Sequence, residues 1–137
     1  MRMDNNSNNY AHQGSDVLRS KSKILDQYGR EFNYLRLAVN EKCNLRCIYC
    51  MPEQGVQLLN KNKYLTKLEI KRIISLFAQM GISKIRFTGG EPLLREDISE
   101  LTRYAKNECE ISEVHLTTNG ILLNKYLDQL SKAGLSG

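Results

Sequence analysis

A chain of 137 residues, 41% hydrophobic and 26% charged, can bury one small core and is too apolar to be wholly disordered. Its net charge of +5 favours an anionic partner, no run of like charges marks a nucleic-acid tail, and a phosphate-bearing small molecule fits as well as RNA would; the reading as a whole expects no nucleic-acid partner. No apolar stretch reaches signal-peptide or membrane-span length, which predicts a cytoplasmic protein with no membrane partner, where four cysteines serve as ligands or thiols rather than disulfides.

Residues 1–25 are expected to form a polar, disordered tail, since the stretch up to about residue 22 is rich in Asn, Ser and Gln and lacks periodicity. Residues 26–137 read as the ordered part. A first strand is predicted over Tyr34–Val39, with Leu35, Leu37 and Val39 on one face, followed by a long loop that carries three cysteines. Thr66 and Glu69 form a capping-box pattern, flanked by Leu65 and Ile70 at the staple positions. Ile70, Ile73, Ile74, Phe77 and Met80 then recur at helical spacing until Gly81. A second strand, Lys84–Thr88, runs into Gly89-Gly90-Glu91-Pro92. Asp97 with Glu100 repeats the capping signature ahead of a stripe of Ile98, Leu101 and Ala105. A third strand is expected over Glu113–Thr118, closed by Asn119-Gly120. A last helix should run from about Asn124 to Ala133, with Leu127 and Leu130 inward and Gly134 at its end.

Repeated strand-then-helix units imply an α/β fold built on a parallel sheet. A parallel sheet covered on both faces should be apolar on both. Here Arg36 lies between Leu35 and Leu37, Arg86 between Ile85 and Phe87, and Thr117 follows Leu116. Alternation therefore sets Arg36, Arg86, His115 and Thr117 opposite the helix-facing aliphatics. Two arginines on such a face call for an anion or a water-filled cavity, or else for a face left wet by an incomplete sheet. The chain closes at Ala133–Gly137, where a fourth strand should begin. Three parallel βα units neither close a barrel nor protect their edge strand, so the chain reads as part of a larger α/β fold, truncated after about three βα units.

The cysteine segment reads Cys43-Asn44-Leu45-Arg46-Cys47-Ile48-Tyr49-Cys50. Three soft thiolates at i, i+4 and i+7 can grip three corners of a cubane iron–sulfur cluster and leave one iron open to a chelating small molecule. Zinc with a distant fourth ligand, or thiols packed in a core, are the alternatives. Zinc motifs pair Cys-x-x-Cys with a second pair or with histidines, and only Cys109, His115 and His12 are available, none at such a spacing. Cys109 reads as a thiol without a ligand role, His115 as a structural strand residue, and Met51 as packing beside whatever the loop holds.

With an aromatic residue before its last cysteine, and a strand before its first, this segment resembles the signature of the radical S-adenosylmethionine superfamily. The resemblance implies a full or partial barrel of βα units, a [4Fe-4S] cluster on Cys43, Cys47 and Cys50, and S-adenosylmethionine on the open iron. One electron from the cluster would split the sulfonium into methionine and a 5'-deoxyadenosyl radical. Gly89-Gly90-Glu91-Pro92 is similar to the turn that meets the methionine amino group in that family. Over about residues 26–137 the chain further resembles the GTP 3',8-cyclases of molybdenum cofactor biosynthesis. The matching segments include Tyr28-Gly29-Arg30, Tyr34-Leu35-Arg36-Leu37, Tyr49-Cys50-Met51-Pro52, the run from Lys84 to Arg95, and Leu116-Thr117-Thr118-Asn119-Gly120.

That closer resemblance implies conversion of GTP to a cyclised pyranopterin precursor, with Arg36, Arg86 and Thr117 contacting GTP and Tyr49 and Gly90 contacting S-adenosylmethionine. It also implies a reduced flavodoxin- or ferredoxin-like electron donor, a downstream pyranopterin-forming enzyme and a homodimer as partners. The family's second, carboxyl-terminal cluster, which binds the guanine, has no counterpart in these residues, so turnover by this chain alone is not expected. A relative modifying a peptide or cofactor, or a non-catalytic iron–sulfur electron-transfer module, would carry the same three cysteines.

Overall fold

Asp26 organises the first ordered feature. Its Oδ1 accepts from the backbone N–H groups of Tyr28 and Arg30, both at 2.9 Å, and its Oδ2 from Arg30 Nε at 2.6 Å. This closes a hairpin between β1 (Ile24–Leu25) and β2 (Glu31–Phe32), paired Ile24↔Phe32 and Leu25↔Glu31. The computed structural model describes residues 22–50, 52, 54–57, 60 and 63–137. The expectations for residues 1–21, His12 among them, and for Met51 lie outside the described residues. β1 falls within the stretch read as tail. Ser22 explains why pairing starts that early, since its N–H and hydroxyl both donate to Gln79 O at 3.2 Å.

The main sheet is parallel, in the order β3 (Tyr34–Ala38), β4 (Lys84–Thr88), β5 (Glu113–Leu116). Its register sets Arg36 opposite Arg86 and Arg86 opposite His115, while Leu37, Phe87 and Leu116 share the adjacent row. β3 and β5 end one and two residues earlier than the alternation predicts. Val39 N still donates to Thr88 O and Thr117 N to Phe87 O, but the ladder pairing stops there. Along the free edge of β5, Ser136 N donates to Val114 O and Leu116 N to Gly137 O, both at 2.7 Å, where a fourth strand was expected.

Three helices cover the aliphatic face. α1 (Lys67–Gln79) opens on the anticipated capping box: Thr66 Oγ1 accepts from Glu69 N, and Glu69 Oε2 accepts from Thr66 N at 2.7 Å. Ile70, Ile74 and Ala78 are buried, whereas Met80, counted in the stripe, is 41% exposed. α2 (Ile98–Arg103) buries Ile98, Leu101 and Thr102 and widens into a π turn at Tyr104–Glu108, where Ala105 is also buried. Its expected cap fails, for Asp97 makes no capping bond and turns its carboxylate to Arg95 instead. α3 (Leu123–Lys132) buries Tyr126 and Leu130, one helical turn apart. Leu127, expected inward, sits about 100° around that helix from Tyr126 and is exposed. These side chains merge with Leu37, Val39, Ile85, Phe87 and Val114 in one core, where each fully buried large aliphatic contributes about 1.5–3 kcal/mol.

Candidate functional site

All three strand-to-helix connections emerge at the carboxyl ends of the sheet strands, the end at which open α/β sheets bind ligands. The first, residues 40–65, holds Cys43, Cys47 and Cys50. The second begins with Gly89 and Gly90, and the third with Thr117 to Gly120.

Glycine at 89 and 90 lets the first two connections touch. A Cβ at Gly89 would lie 2.2 Å from Asn40 O, and one at Gly90 would lie 2.2 Å from Lys42 O. In that contact Gly90 N donates to Asn40 O at 3.0 Å and Glu91 N to Lys42 O at 2.7 Å. Gly89 also stands at φ 131, a conformation that side chains disfavour.

Glu91 joins the third connection to the other two. The residue is 1% exposed, and its carboxylate accepts from Thr118 Oγ1 at 2.7 Å, Asn119 N at 2.8 Å and Leu93 N at 2.9 Å. Burying a carboxylate is costly without such partners, and three donors supply them. Asn40 Nδ2 donates to Glu91 O, and Asn119 Nδ2 donates to Asn44 Oδ1 at 2.8 Å, between two of the cysteine positions. Sequence reasoning treated Gly89–Pro92 as a ligand turn and missed Glu91 as the tie between connections. An acidic side chain trapped between glycine and proline at a strand end was the available signal.

The cysteine loop stands on this base. Cys43 and Cys47 are half-buried, Cys50 is exposed, and none of the four cysteines is in a disulfide. Cys50 N donates to Cys47 O at 2.9 Å in a tight turn, and Arg46 Nη1 donates to Cys43 O and Leu45 O. Tyr49 is 93% exposed. Its phenol is held above the ordinary tyrosine range, first by its hydrogen bond to Cys47 and then by the charge of that thiol. A pocket of about 290 Å³ opens beneath the loop, lined by Glu41 to Asn44, Arg46, Val56 and Leu94.

Arg95 braces the loop where it begins and ends. Its Nη1 donates to Val39 O and to Leu65 O, both at 3.0 Å, while Nε and Nη2 contact the two oxygens of Asp97 at 2.6 and 3.1 Å.

On the face away from the helices, Arg36 is exposed and Arg86 and His115 are half-buried, side by side in register, with Thr117 exposed beyond His115. Arg86 Nε donates to Tyr34 OH at 3.0 Å. Glu113 lies 2.7 Å from Lys84 Nζ and 2.9 Å from His115 Nε2, and these partners, Lys84 first, hold its carboxyl down at about 2. Among the described residues neither Arg36 nor Arg86 pairs with a carboxylate.

The donor set suits an iron–sulfur cluster, with three soft thiols on one anchored loop and no disulfide competing for them. Asn40 Oδ1 is buried without a partner beside the Gly89–Gly90 turn, an acceptor available to a ligand donor. Among the described residues no set of His, Cys, Asp or Glu side chains converges into a metal-holding group. The structure thus brings the three cysteines into one loop without gathering their sulfurs. No helix of the described residues is long and apolar enough to cross a membrane.

Residues 37–137 match the Radical SAM superfamily. Molybdenum cofactor biosynthesis protein 1 of Drosophila melanogaster is 48% identical over 119 residues, covering 87% of this chain and 21% of that protein. The human protein of that name is 49% identical over 113 residues, covering 82% of this chain and 18% of the relative. A GTP 3',8-cyclase of Lactiplantibacillus plantarum is 46% identical, covering 82% of this chain and 34% of that enzyme. The chain therefore spans about a fifth to a third of the length of these curated relatives. A crystal structure of BtrN in complex with AdoMet and 2-DOIA superposes with a TM-score of 0.63 at 23% identity, covering 76% of this chain and 43% of that one.

Proposed function

Since this chain belongs to the radical SAM superfamily, we propose that it forms the cluster-bearing part of a GTP 3',8-cyclase acting in molybdenum cofactor biosynthesis. The observation that carries this reading is the cysteine loop standing on the Gly89–Gly90 turn at the end of a sheet whose open face presents Arg36 and Arg86 together.

Cys43, Cys47 and Cys50 would hold a [4Fe-4S] cluster. When bound, that cluster and S-adenosylmethionine would supply a 5'-deoxyadenosyl radical for removing the ribose 3'-hydrogen of GTP. The chain's own task is to place reactants. Gly90 brings its turn against the cysteine loop, and Tyr49, next to Cys50, would contact S-adenosylmethionine. Arg36 and Arg86 offer two planar forks of donors to a triphosphate, which suits guanidinium better than ammonium groups. The Thr117 hydroxyl, farther along the same face, would contact GTP as well. A flavodoxin- or ferredoxin-like protein would deliver the electron, a pyranopterin-forming enzyme would take the product, and the protein would work in the cytoplasm as a homodimer.

Anaerobic reconstitution with iron and sulfide tests the reading. The wild-type chain should take up about four irons, and Cys47→Ser should lose most of them. In equilibrium dialysis, Arg36→Ala combined with Arg86→Ala should weaken GTP binding by roughly tenfold or more. Undiminished iron in Cys47→Ser would refute the cluster assignment. GTP retention unaffected by loss of both arginines would instead favour a relative acting on a peptide or another cofactor.

A further inference from the structure

We infer that Arg95 is a positioning residue, a latch that clasps the two stems of the cysteine loop, with Asp97 holding it in place. The loop departs from the sheet at Val39 and rejoins the helical layer at Leu65. Those are the two residues whose carbonyls Arg95 Nη1 bonds, 56 and 30 positions away in sequence. The remaining edge of the guanidinium faces both oxygens of Asp97. Only a planar group with donors on several sides can do all of this at once; a lysine at 95 would hold one or two of the four contacts. The side chain is 14% exposed, so its bonds form largely away from water, where leaving a partner unsatisfied is costly.

The position of Arg95 gives the latch its consequence. Arg95 closes the short turn Pro92–Leu94, whose other end is the Gly89–Glu91 segment that touches Asn40 and Lys42. Loop stems and turn are therefore one body. Tying the ends of a long loop removes conformations from everything between them, and Cys43, Cys47 and Cys50 lie between them. The turn of Asp97 away from the helix end becomes intelligible as well, because its carboxylate aims the guanidinium. The role of Arg95 toward the cysteines rests on the cluster reading; the clasp itself does not.

Amide hydrogen exchange on metal-free protein tests the clasp. In Arg95→Gln, peptides covering residues 39–47 and 63–66 should exchange about tenfold faster, the factor that goes with one lost charge-assisted hydrogen bond, while α1 and α3 keep their protection. Arg95→Lys should not restore the stems, and Asp97→Asn, with the arginine kept, should loosen them more mildly. The milder variant answers the question if Arg95→Gln fails to fold. On reconstituted protein, the change that S-adenosylmethionine produces in the electron paramagnetic resonance spectrum of the reduced cluster should be lost from most molecules of Arg95→Gln. Stems that stay protected in every folded variant would overturn the clasp, and loosened stems with a wild-type spectral response would overturn its positioning role. Loosened stems in a protein whose wild type takes up no iron would leave the clasp standing and remove the cluster reading.

Discussion

Gly90 and Gly120 are both glycines at the head of a connection, and they are glycine for different reasons. A methyl group at Gly90 would meet two backbone oxygens, Lys42 O at 2.2 Å and Glu41 O at 2.6 Å, and backbone cannot swing aside. Gly90→Ala should therefore cost about 2–4 kcal/mol in urea unfolding and part the turn from the cysteine loop. Gly120 has φ +81 and open space around it, so Gly120→Ala should cost only about 1 kcal/mol. Equal losses would show that the close approach is not what Gly90 serves. Glu91 is the companion case. Glu91→Gln sets an amide nitrogen among Thr118, Asn119 and Leu93, all donors, and should cost about 2–4 kcal/mol. The cysteines were legible because their motif is local to eight residues. Glu91 was not, because two of its partners, Thr118 and Asn119, lie 27 and 28 residues away and meet it only after β4 and β5 are in register.

Helix boundaries obey the same division. Thr66 and Glu69 bond within one turn, so the start of α1 could be read directly. Asp97 and Glu100 show the same spacing, but a charged partner draws each away: Arg95, two residues back, for Asp97, and Lys67 and Lys71, 33 and 29 residues away, for Glu100. Local pattern lost to charge. The two lysines of α1, Lys67 first, draw the Glu100 carboxyl from 4.5 to about 2 and tie α1 to α2. A lowered folded-state value means that the unfolded chain binds the proton more tightly. The contribution of Glu100 is therefore complete above about pH 4.5 and drains away as pH falls toward 2. Wild type should melt above Glu100→Gln at pH 7, with the gap closing as pH falls toward 2 and narrowing in high salt. A gap that persists at pH 2 would assign the effect to packing instead.

At the scale of the whole molecule, the order of the units and the two-faced sheet followed from alternation and from the recurrence of strand and helix. The β1–β2 hairpin did not. Its strands are two residues each, with three of the four residues exposed, so they carry no periodicity, and the turn is closed by Asp26, through its side chain and through its backbone bonds to Gly29 and Arg30. The row Arg36, Arg86, His115 was foreseen as a shared face; that the three stand directly abreast comes from the parallel register alone.

That arrangement makes the folded state a sensor of its ionic surroundings. Two arginines at paired positions of adjacent strands should disfavour one another when the sheet assembles and be relieved when the chain unfolds. Any multivalent anion that settles between them stabilises the folded state, by an amount that grows as RT ln(1 + [L]/Kd), about 2.7 kcal/mol at a hundredfold excess over Kd. Sulfate, pyrophosphate and tripolyphosphate should raise the melting temperature in that order with no cofactor in the tube. In Arg36→Ala the series should flatten, and an unaltered series would place the responsive charges elsewhere.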